Sequence, residues 1–191
     1  MNTTPETTLN DVRHAYRLLH DYQRLVLDSI GFVGTQLGFR YSCGWQHFSN
    51  TPPRNGSGSL GHWAWDWLGL YYYQFHFTRD DQWLSAFHIP DDGAVQVERK
   101  ERTNTRNFPS ADQSKSIMIF IYAARSEDWN IDHFNADPKL LLKTAETGES
   151  SGSGVQLRSI GMERLFTESS ARQVVEELRT HFCLSSEKSV L

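Results

Sequence analysis

The sequence predicts an α+β fold, a mainly antiparallel sheet of four to five strands packed against a long N-terminal helix and a C-terminal helix. Three observations carry that expectation. Apolar residues recur at three-and-four spacing near both ends of the chain, aromatic residues alternate with a period of two between Trp63 and Phe77, and the run from Ile117 to Tyr122 is continuously apolar. The 191 residues fit one domain spanning 1–191, with 1–7 and 185–191 expected to fray.

Each element has its own signal. Thr8 followed by Asp11 predicts the cap of a first helix, whose face is marked by Val12, Tyr16, Leu19, Val26, Ile30, Val33 and Leu37. Gly31, Gly34 and Gly38 either end that helix between Ile30 and Leu37 or let another element approach closely. Residues 40–62 read as a loop, with Pro52, Pro53 and the run Asn55-Gly56-Ser57-Gly58-Ser59. A meander of three strands follows, Trp63–Phe77, Trp83–Ile89 and Ala94–Arg102, the last two joined by an Asp-Gly turn at Asp91-Asp92-Gly93. Ser116–Ala124 is expected as a central strand, because an unbroken apolar run suits a strand covered on both faces. Asp137-Pro138 starts a short helix to Thr147, Val155–Leu165 holds one more strand, and Thr167 caps a last helix with Ala171, Val174, Val175, Leu178 and Phe182 on one side.

Composition excludes some functions. Hydrophobic residues make up 38% and charged ones 22%, a globular balance, and the net charge of −4 argues against indiscriminate binding to nucleic acid. Cys43 and Cys183 show no metal-ligand spacing and are expected as reduced, partly buried thiols. Met1–Asn10 has no basic start leading into an apolar core, and Leu25–Phe39 is interrupted by Asp28, so the expectation is a cytoplasmic protein without membrane contact.

The most distinctive window is Ser29–Trp65, which contains no Asp or Glu yet holds seven of the 13 glycines. It carries Arg40, Arg54, His47 and His62, and a local field free of carboxylates suits an anion held by arginine forks and glycine N–H groups. Beside them stand Trp45, Trp63 and Trp65, and 14 of the 24 aromatic residues fall between Phe39 and Phe87. A cluster that dense makes either core or a recognition surface. The reading is therefore a non-catalytic binding protein, using residues 40–77 to meet a protein partner or a small anionic ligand, with no cofactor and no metal. The string Gly56-Ser57-Gly58-Ser59-Leu60-Gly61 lacks the preceding strand and following helix of a dinucleotide site.

A second reading starts from Pro90-Asp91 and Glu98-Arg99-Lys100, which resemble the PD-(D/E)xK signature of metal-dependent nucleases. The resemblance implies Asp91 and Glu98 as Mg²⁺ ligands, Lys100 as a positioner of the attacking water, and phosphate contacts from Arg99, Lys100, Arg102 and Arg106. The short separation of Asp91 and Glu98 departs from that pattern, because it leaves Asp91 in the turn rather than on the strand beside Glu98. The histidines show no metal spacing. His14 and His20 lie six apart, His76 and His88 fall on neighbouring strands, and all are expected to be structural or on the surface.

Overall fold

The computed structural model describes residues 4–47, 72–98, 105–125, 128, 142–145 and 154–184. The described chain runs α1 (Pro5–Gln36), β1 (Arg40–His47), β2 (Tyr72–Arg79), β3 (Gln82–Ile89), β4 (Ile117–Ala123), β5 (Val155–Gly161) and α2 (Glu168–His181). The five strands form one sheet in chain order, every neighbouring pair antiparallel. The predicted α+β architecture, with a helix at each end of the sheet's sequence, is thus the observed one.

The first helix begins one turn before the expected cap. Thr4 is the N-cap, its Oγ1 accepting from the Thr7 N–H at 3.3 Å, and Pro5 takes the first helical position, where no N–H is needed. At the other end Gly38 adopts φ +81°, and the Phe39 N–H donates to the Gly34 carbonyl at 2.9 Å. Arg79 of β2 completes that terminus. Its Nη1 donates to the Leu37 carbonyl at 3.0 Å while its guanidinium lies 4.6 Å from the centre of the Phe39 ring.

Both helices cover the same face of the sheet. Val26, Ile30, Val33 and Leu37 of α1 meet Ala171, Val174, Val175 and Leu178 of α2 over Phe75, Phe77, Leu84 and Phe120. The cap of α2 is the predicted Thr167, and all five residues expected on its inner side are buried. Gly34 sets how closely α1 approaches, since a Cβ there would lie 2.5 Å from the Phe77 ring. The opposite face holds a second core of Phe87, Ile89, Ile119, Ile121, Val155 and Leu157. β4 therefore lies between two apolar layers, and all seven of its residues are buried.

Several expectations are corrected. Residues 40–47 are strand, not loop; β1 escaped notice because Ser42 is bulged out between Tyr41 and Cys43, which breaks the period-two pattern, and Gly44 adds a breaker signal. Residues 94–98 are not a strand. Asp91 Oδ1 accepts from the Gly93 N–H at 2.9 Å and Asp92 Oδ1 from the Lys115 N–H at 2.7 Å, so the Asp-Asp-Gly sequence opens a helical turn, Gly93–Gln96, whose Ala94 and Val95 are buried. Cys43 and Cys183 are both exposed rather than partly buried. The predicted strand Trp63–Phe77 is described only from Tyr72, and of the helix expected over Pro138–Thr147 only 142–145 are described, as helical.

Candidate functional site

A cavity of about 240 Å³ lies between the second half of α1 and the edge of the sheet formed by β1 and β2. Tyr22, Gln23, Val26 and Leu27 line it from the helix, and Tyr41, Gly44, Trp45, Tyr73, Gln74 and Phe75 from the strands. None of these side chains is charged.

The local sequence explains the opening. Helical spacing puts Tyr22 and Val26 one above the other, turned toward the sheet, with Gln23 and Leu27 beside them at the rim. On the strands Gly44 pairs with Phe75, and a Cβ at Gly44 would collide with the Gln74 carbonyl and come within 3.0 Å of the Tyr41 hydroxyl. Glycine is thus required there, and it leaves space above Phe75. Tyr41 packs edge-on against Phe77 at 5.6 Å between ring centres. Trp45 is 47% exposed and rests edge-on against His76 at 5.0 Å.

Polar atoms gather at the cavity's inner wall. The Tyr22 hydroxyl and His88 Nε2 are 2.8 Å apart, a hydrogen bond whose direction the tautomer sets. Gln23 Nε2 donates to the Tyr73 hydroxyl at 3.2 Å, and the Tyr73 ring stacks on His88 with centres 5.7 Å apart. Burial holds His88 neutral, lowering its pKa to about 4, and its Nδ1 finds no partner among the described residues. The Tyr22 phenol is raised chiefly by burial, with Tyr73 adding to the rise and a hydrogen bond with Ser116 opposing it. Tyr73 is raised by burial, which the Gln23 bond partly offsets. On the other face His76, beneath Trp45, is likewise lowered to about 4 by burial, and its Nδ1 lies 2.6 Å from the Ser85 hydroxyl. The lining is therefore neutral, and its side-chain polar groups are phenols, the Gln23 and Gln74 amides and the Trp45 indole.

Of the residues expected from the sequence, Trp45 lines this cavity. Arg40 is exposed at the start of β1, opposite Thr78, and is not part of the lining. His47 ends β1, but its side chain lies outside the described residues, as do Arg54, His62, Trp63 and Trp65. Asp91 is engaged in the turn and Glu98 is exposed beyond it, off any strand, while Arg99, Lys100 and Arg102 lie outside the described residues and Arg106 is exposed. The strand that would have carried Glu98 toward an acid partner is thus absent over 94–98. Among the described residues no group of three His, Cys, Asp or Glu is arranged to hold a metal ion. No described helix is long and apolar enough to cross a membrane.

Tyr22, Gln23, Tyr41 and Tyr73 were not singled out by sequence reasoning. Tyr22 falls three residues after Leu19 and four before Val26, so the apolar spacing of α1 contained its signal. No curated protein and no solved structure shows significant similarity to the chain. Residues 2–187 match the family designated PM0109, and the chain belongs to that family.

Proposed function

We propose that this is a non-catalytic recognition protein whose cavity beside β1 accepts a neutral apolar or aromatic side chain presented by a protein partner. The observation that carries this reading is the uncharged, aromatic-lined cavity of about 240 Å³ at an exposed sheet edge. Small-molecule sites usually run from roughly 300 to 1,000 Å³, so a space below that range suits one large side chain better than a cofactor. Aromatic residues around a partly apolar pocket are also the common anchors of protein interfaces. The anionic ligand expected from the acid-free window draws no support from this lining, because Arg40 is not part of it.

Chemical-shift mapping on isotope-labelled protein separates the two ligand classes. N-acetyl-tryptophanamide is expected to give saturable shifts at Gln23, Val26 and Tyr73, and inorganic phosphate none. Shifts centred on Arg40 with phosphate alone would restore the anionic reading. No saturable shift with the aromatic amide would remove the proposed one.

A further inference from the structure

Among the described residues, no element packs beneath the first half of α1. The helix has 32 residues, about 48 Å at 1.5 Å per residue, yet its first buried residue is Val26. Over its first turns Leu9 is 59% exposed, Val12 45% and Tyr16 71%. These are not scattered apolar residues. The intervals Leu9, Val12, Tyr16, Leu19 alternate three and four, Gln23 takes the next place, and Val26, Ile30, Val33 and Leu37 continue the same alternation into the core. One seam of positions a and d therefore runs the length of α1, covered in its second half by the sheet and α2 and open in its first.

The charges beside the open seam say what covers it. With Leu9 at a and Val12 at d, the e positions are Glu6 and Arg13, while the g positions Thr8 and Ala15 are uncharged. In a parallel pair e faces g, which would leave Glu6 and Arg13 without opposite charges. In an antiparallel pair e faces e, and the register that sets Leu9 against Val12 of a second copy also sets Glu6 against that copy's Arg13, twice by symmetry. The same register lays Pro5 against the second Tyr16. We infer that two copies of this chain associate through the open halves of α1, antiparallel, with the two-fold axis between Asn10 and Asp11.

The overlap from Pro5 to Tyr16 is about 18 Å long. It buries less than the roughly 800 Å² per partner of a standard interface, so the pair exchanges rapidly, with a dissociation constant on the order of tens of micromolar. This association is independent of the cavity beside β1, which lies along the other half of α1.

Cross-linking reads the orientation directly. In full-length protein with Cys43→Ser and Cys183→Ser, Leu9→Cys and Val12→Cys are made as separate variants and oxidised mildly at about 100 μM, alone and mixed. The mixture is expected to form disulfide dimers at least ten times faster than either variant alone, because Leu9 meets Val12 and not itself. Equal or faster linking of Leu9→Cys with itself would show a parallel pair and overturn the inference. Sedimentation covers the case in which no variant links. A mass that rises toward a dimer between about 10 μM and 1 mM, and stays monomeric in Leu9→Glu, is expected of otherwise unmodified protein. A monomer throughout that range, or a dimer that Leu9→Glu leaves intact, overturns it.

Discussion

The hydroxyl of Tyr22 on α1 lies 2.8 Å from Nε2 of His88 on β3, a residue with no solvent exposure. This bond links the helix to the middle of the sheet at the base of the cavity, so it sets both helix position and cavity shape. Tyr22→Phe keeps the ring and strands a buried nitrogen. The expected loss is about 1–3 kcal/mol, the cost of an unpaired buried polar group. Urea denaturation checks it, and combining Tyr22→Phe with His88→Leu is expected to cost less than the two single losses added together, since no buried partner is left unpaired.

His76 and His88 make stability depend on pH with a definite sign. Each has a pKa of about 4 in the folded protein against 6.5 in the open chain, so the unfolded state binds more protons between those values. Stability is then fully present above pH 6.5 and is lost as pH falls toward 4. The limit is about 3 kcal/mol for each histidine. The urea midpoint is expected to drop between pH 7 and pH 5, and His88→Gln to flatten that slope by about half. A slope unchanged in His88→Gln would mean that the imidazole stays neutral or charged in both states alike.

Trp45 and Gln23 allow the rim of the cavity to be altered, each at the expense of one contact with a buried residue. Trp45→Ala removes a half-exposed indole, and the expected stability loss of about 1 kcal/mol reflects its edge contact with His76. Gln23→Trp, at an exposed helical position, is expected to fill the cavity mouth and block N-acetyl-tryptophanamide, at a cost of about 1 kcal/mol for the lost bond to the Tyr73 hydroxyl. Retained amide binding in Gln23→Trp would place the probe elsewhere.

The layers of this fold were legible because burial imposes periods. The spacing of Ala171, Val174, Val175 and Leu178 named the inner side of α2, and the unbroken run from Ile117 to Tyr122 named the strand buried on both faces. β1 was illegible for a physical reason, since a bulge at Ser42 and a required glycine at Gly44 erase the alternation that marks a strand. The cavity was half legible. Trp45 stood out by composition, but Tyr22 and Tyr73 reach it only through the crossing of α1 over β2, and pairings between elements 50 or more residues apart leave no trace in local spacing. The turn at Asp91 shows the converse error. Asp-Asp-Gly is compatible with a hairpin and with a helical turn, and the Asp92 bond to the Lys115 N–H decides between them from outside the local sequence.

Gly31 and Gly34 lie three residues apart on α1 and are expected to respond to alanine with opposite signs. A Cβ at Gly31 meets nothing within 4 Å, so Gly31→Ala gains the helix propensity of alanine alone, about 1 kcal/mol. At Gly34 the same gain competes with a contact 2.5 Å from the Phe77 ring, which is 3% exposed and part of the core beneath α1. Overpacking of this kind costs about 1–3 kcal/mol, so the clash outweighs the propensity and Gly34→Ala is expected to destabilise. Phe77→Leu in the same chain should relieve the clash, leaving the double variant above the sum of its parts. Urea midpoints for the four proteins decide the matter. Equal stabilisation by both alanines would mean that α1 stands farther from β2 than Gly34 implies, and the cavity between them would then be wider than one side chain can fill.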